Sequence, residues 1–132
     1  MILYYLIIFK KKKIGDKMDI PQNVQEQLDQ FQQIQQQAQA IAMQKQTVDI
    51  QIYESKKALD ELSKTSDDQD VYKTSGPLLI KTTKAESEAN LKDSIEMLEL
   101  RKKTIEKQEK RITTRLEDLQ TSIQTTMNQM QQ

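Results

Sequence analysis

The chain has 132 residues, of which 30% are charged and only 5% aromatic, with 20 basic and 20 acidic side chains in balance. That length suits one domain, but so few large apolar groups leave little material for a globular core, so an elongated shape is expected. With no cysteine and no histidine, disulfides, zinc fingers and any catalysis needing a thiol or imidazole are excluded, and a reducing, cytoplasmic setting fits.

The opening "MILYYLIIFKKKKIGDK" places nine apolar residues before Lys10–Lys13. Nine are too few for a helix to cross a bilayer, which takes about 20. A signal peptide would carry its charges ahead of the apolar run, the reverse of this order. Residues 1–17 are therefore expected to be an extension produced by a start codon placed too early, with Met18 as the first residue; a disordered or interfacial tail is the alternative. The five lysines of this stretch face one acid, Asp16, so the neutral total leaves residues 18–132 net acidic. An acidic body argues against nucleic acid as a partner.

A first helix is expected over 21–64, beginning at Pro21, which is tolerated only in a first turn. Steps alternating between three and four residues pick out twelve positions, nine of them apolar: Val24, Phe31, Ile34, Ala38, Ile41, Val48, Ile52, Leu59 and Leu62, with Gln27, Lys45 and Ser55 as exceptions. So narrow a seam, sustained for more than five heptads, marks a coiled coil rather than a helix lying on a globule. The glutamine-rich run through this helix reads as its solvated face.

Next come "DVYK" and "PLLIK", with the β-branched, aromatic and apolar character of short strands, around the turn residues "TSG". A β-hairpin is expected over 70–81, with Gly76 giving backbone freedom and Pro77 stopping any helix. Its Val71, Tyr72, Leu78, Leu79 and Ile80 would stand exposed on a lone pair of strands, which is marginal in water. Oligomerisation through the hairpin is the expected remedy. Asp67, Asp68 and Asp70 lack the ordered spacing and glycine of a calcium loop and read as a solvated linker.

A second helix is expected over 84–130, opened by the capping box "TKAE", Thr83 to Glu86. The same spacing selects Leu91, Ile95, Leu98, Ile105, Ile112, Leu116, Leu119, Ile123 and Met130, interrupted by Lys102, Glu109 and Thr126. The basic residues Arg101, Lys102, Lys103, Lys107, Lys110 and Arg111 alternate with Glu106 and Glu109, as on an ion-paired helix surface. The two seams match in length, so the fold class expected is mainly α, an antiparallel two-helix coiled coil with one central β-hairpin that oligomerises into a β-barrel platform. That register sets Lys45 near Glu109.

Helix, then Val71-Tyr72-Lys73-x-x-Gly76, then a helix carrying Glu106-Lys107-Gln108-Glu109 followed by Leu116, Leu119 and Gln120, resembles the prefoldin β-type subunits, particularly the archaeal ones. The match runs from about Met18 to the C-terminus. Residues 1–17 have no counterpart, and Thr113 and Thr114 depart from the second-helix motif. The resemblance implies a hetero-hexamer of two α and four β subunits joined by their hairpins into a double barrel. It further implies an ATP-independent holdase, without cofactors, that captures unfolded proteins at the coil tips and passes them to a group II chaperonin. On that reading the client-binding residues are Val24, Leu28, Phe31, Ile123, Met127 and Met130. Leu28 and Met127 lie off the strict spacing and are expected to turn apolar surface outward. No phosphate loop, metal cluster or nucleophile with a base supports an enzyme. A structural tether or scaffold is the rival reading, and it leaves the apolar hairpin without a purpose.

Lys45 and Glu109 are expected to pair and help fix register, against the alternative that each reaches water separately. A double-mutant cycle read by urea unfolding should return a coupling of about 0.5–1 kcal/mol; zero coupling removes the pair.

Overall fold

The computed structural model describes residues 22–130. The expected extension over residues 1–17, and Pro21 with its place in a first turn, lie outside the described residues. Four elements follow in order: helix α1 (Gln22–Ser63), strand β1 (Val71–Ser75), strand β2 (Leu78–Thr82) and helix α2 (Lys84–Met130). No helix among the described residues is long and apolar enough to cross a membrane.

Local chemistry explains these bounds. Neither glycine nor proline occurs between Pro21 and Gly76, and the glutamine, alanine, leucine and lysine content of α1 favours continuous helix. It stops where Ser66, Asp67, Asp68 and Asp70 cluster, residue types that compete for the backbone through their own side chains. At the start of α2 the Glu86 N–H donates to Thr83 Oγ1 (3.1 Å), the N-cap bond expected of "TKAE". The return half of the capping box is absent: Glu86 Oε2 instead accepts from the Thr82 hydroxyl (3.1 Å), tying the helix start to the end of β2.

All twelve seam positions of α1 are buried or half-buried, and eleven of the twelve on α2 are as well. Met130 is the exception, 42% exposed. Apolar residues outside the seam stand in water: Met43, Ile50 and Tyr53 on α1, Met97 and Leu100 on α2.

The chain divides into two compact units. In the first, Ile41–Gln108, residues Val48, Ile52 and Ile105 form a buried cluster against which Ile41 and Leu98 pack. Antiparallel ion pairs flank this cluster, Lys56 with Glu99 (3.1 Å) and Lys102 with Asp49 (2.8 Å). Lys102, one of the charged interruptions of the seam, is thus answered by the facing helix. The hydrogen bond accepted by the Asp49 carboxylate, and then the attraction of its charge, raise the Lys102 pKa above 10.5. A raised lysine contributes stability below its unfolded value and loses it as pH climbs through the higher folded value, so on the lysine side this pair is intact at neutral pH and weakens in strong alkali.

The second unit joins the described residues up to Ala40 with those from Glu109 onward. Its core is Phe31, Ile123 and Met127, with Leu28, Leu116 and Leu119 packed against it. Gln27, a polar interruption of the seam, donates from Nε2 to Ser122 Oγ across the pair (3.0 Å). Threonine hydroxyls at 121, 125 and 126 each bond the carbonyl four residues back, which satisfies them on the helix itself.

Two isoleucines of the first unit offer a matched test of the seam. Ile105→Ala removes a buried side chain and should cost about 2–3 kcal/mol in a urea melt, whereas Ile50→Ala, on the outer face, should stay within about 0.5 kcal/mol of the parent.

Candidate functional site

The hairpin is the first candidate. Its strands pair antiparallel in the register Val71 with Thr82, Tyr72 with Lys81, Lys73 with Ile80, Thr74 with Leu79 and Ser75 with Leu78. Gly76 and Pro77 alone close the loop, and Gly76 has φ of 59°. A two-residue loop with a positive φ at its first position and proline, fixed near −65°, at its second is a type II′ turn. That turn matches the natural twist of paired strands, so the "GP" dipeptide sets the register of everything below it.

Side chains alternate across this pairing. One face presents Val71, Lys73, Leu78 and Ile80, and the other Tyr72, Thr74, Leu79 and Lys81. Only Val71 and Thr82, at the root, are half-buried. Leu78 is 62% exposed and Leu79 71%, and they project from opposite faces. The sheet has two strands, so each is also an edge, and every second residue directs its N–H and C=O outward. The Asp70–Lys81 pair at the root (3.3 Å) is open to water on both sides and adds little to cohesion.

The second candidate is the end of the coil in the unit that contains Phe31 and Ile123. Of the six residues expected there, Val24, Phe31, Ile123 and Met127 are buried, Leu28 is half-buried and Met130 is exposed. The expectation that Met127 turns its side chain outward is corrected: it is 7% exposed and packs on Phe31 and Ile123. Leu28 likewise leans on that cluster. The cause is helical phase. A straight helix has 3.6 residues per turn, so a strict 3.5-residue pattern drifts; the last step here is four residues, from Ile123 to Met127, rather than three to Thr126.

No cluster of metal-binding side chains occurs among the described residues. The hairpin offers exposed apolar surface and unpaired edge groups, and the coil end offers the exposed Met130 beside a buried apolar cluster. Lys84, which the sequence marks only as part of the capping box "TKAE", has a side chain just 16% exposed, held against the C-terminal end of α1 and the residues that follow it; its only further sequence signal is a lysine at a helix start, where positive charge is unfavourable.

Replacing Gly76 with alanine meets no steric neighbour but forces a side chain into the left-handed region. The cost should be about 1–2 kcal/mol, seen as faster amide exchange in β1 and β2 while far-UV helicity stays unchanged.

Comparison with known proteins gives one answer throughout. A family model described as "Prefoldin subunit" matches residues 25–130. The chain is 50% identical over 106 residues to the prefoldin subunit beta of Methanosarcina acetivorans, covering 80% of this chain and 91% of that one. It is 45% identical over 109 residues to that of Thermococcus kodakarensis, covering 83% and 93%. The crystal structure of the prefoldin beta subunit from Thermococcus strain KS-1 superposes with a TM-score of 0.75 at 45% identity, covering 82% of this chain and 95% of that one. Two long helices carrying matched seams, one open hairpin between them and these relatives make the chain a member of the prefoldin subunit family.

Proposed function

We propose that this protein is a chaperone subunit of the β type, assembling with α-type subunits into a hexamer of two α and four β chains. It holds unfolded polypeptides without nucleotide and delivers them to a group II chaperonin in the cytoplasm. The observation that carries this reading is the hairpin. Tyr72, Leu78, Leu79 and Ile80 stand in water on both of its faces, beside edges with unpaired backbone groups. A single hairpin in that condition is marginal, and joining several into a shared barrel covers the edges and buries the apolar groups.

Client contact is assigned to the coil end, at Val24, Leu28, Phe31, Ile123, Met127 and Met130. Most of these are engaged with one another in the isolated chain, which fits exchange rather than permanent display. Terminal turns are where local opening costs least, and an opened end would trade its own apolar contacts for those of a client. Methionine adapts to varied partners, and Met127 and Met130 supply two in one turn.

The test has two arms. Mixed with an α-type subunit, the chain should give a hexamer of mixed composition by light scattering, and the assembly should suppress aggregation of a denatured client. Removing residues 22–34 and 119–130 should leave the assembly intact and lower client protection by about tenfold or more, the scale of losing several apolar contacts. An elongated dimer indifferent to the α-type subunit supports the tether instead, and full protection by the truncated chain ends the assignment of clients to the coil end.

A further inference from the structure

The last turn of α1 carries Asp60 and Glu61 and no basic residue, the wrong charge for the negative end of a helix dipole. Nor does a glycine follow it to form the usual left-handed cap; Lys64 and Thr65 do. Its carbonyls are nonetheless accounted for one by one. Ser63 Oγ donates to the Asp60 carbonyl (2.6 Å), and the Lys64 N–H to that of Glu61 (3.2 Å). Both the N–H and the hydroxyl of Thr65 donate to the Leu62 carbonyl (3.1 and 2.7 Å). The carbonyls of Ser63 and Thr65 then receive a single donor from far along the chain, Lys84 Nζ, at 3.5 and 2.7 Å. The same ammonium faces Asp67 Oδ1 at 3.4 Å, so its three N–H groups meet three oxygens.

Lys84 is a poor choice for the start of α2 taken alone. A cation there opposes that helix's own dipole, and only Glu86 in the first turn offsets it. Its side chain is 16% exposed, while the Asp67 carboxylate it meets is 94% exposed. The weight of the contact therefore falls on the short, part-buried bond to the Thr65 carbonyl more than on the ion pair, which water screens. A local rule broken at a residue that is then fully engaged elsewhere is a sign of purpose.

We propose that Lys84 is a positioning residue for assembly: a clasp that closes the excursion from Ser63 out through the hairpin and back, and so fixes how β1 and β2 leave the end of the coil. The hairpins of neighbouring subunits must present their edges at one angle to pair, and the excursion has no other long-range polar bond to α1 among the described contacts. The assembly role rests on the function proposed above; the clasp itself does not.

Lys84→Met keeps the length and apolar stem of the side chain and removes its donors. In the isolated chain the Thr65 and Gln69 amides, which bond Leu62 and Ser66 carbonyls, should exchange about tenfold faster, the scale of one hydrogen bond to a charged group. Assembly with an α-type subunit should weaken by a similar factor while far-UV helicity holds. Lys84→Arg, which keeps a cation in reach, should stay within about threefold of the parent on both measures. Unchanged exchange in Lys84→Met overturns the clasp, and faster exchange with unchanged assembly overturns the positioning role. Should Lys84→Met lose helix, Lys84→Gln, which retains an amide donor of similar reach, takes its place under the same criteria. Failure of the parent chain to assemble at all counts against the proposed function, and exchange at Thr65 and Gln69 then decides the clasp alone.

Discussion

Everything in this chain depends on an apolar strip shared by two helices that are otherwise hydrophilic. Neither α1 nor α2 has a second layer to lean on, and a helix without tertiary packing is marginal in water however good its propensity. Burial is therefore concentrated in few residues: Val48, Ile52 and Ile105 in one unit, Phe31, Ile123 and Met127 in the other. A two-stranded packing of this kind gives each buried side chain little redundancy. Polar interruptions are accommodated in different ways: Asp49 of the facing helix answers Lys102, Ser122 accepts from the Gln27 amide nitrogen, and Thr126 bonds a carbonyl of its own helix.

The hairpin obeys the opposite rule. It is held by its turn and its backbone ladder rather than by burial, and the side chains it exposes are those a core would normally claim. In prefoldin terms this division of labour is economical. The coil buries its apolar seam within one chain, whereas the strands are left with exposed apolar side chains and unpaired edge groups. Lys84 ties the start of α2 to the end of α1, between these two regions.

How far the sequence alone could be read follows the same physics. Seam positions were legible because the 3-4 spacing is a local, one-dimensional signal, and the residues it omitted, such as Met43, Tyr53 and Met97, lie on the outside. The strands were legible from "DVYK" and "PLLIK", but the turn expected at "TSG" is corrected: Thr74 and Ser75 belong to β1, and Gly76 with Pro77 makes the turn. Met127 was not legible, since the pattern was extrapolated at a fixed 3.5-residue period and the helix advances at its own. Lys84 was not either: its partners Ser63 and Thr65 lie about twenty residues earlier and are backbone atoms, which carry no residue-type signature.

The placement of sulfur has a chemical corollary. Lacking cysteine, the chain meets oxidants through its thioethers alone, and among the described residues these differ sharply in access: Met43 and Met97 are 69% and 71% exposed, Met127 only 7%. Peroxide would reach the outward pair first, turning into sulfoxide two groups whose neighbours are already water. The coil would absorb such damage on its surface, scavenging oxidant before Met127 could become a polar intruder beside Phe31 and Ile123.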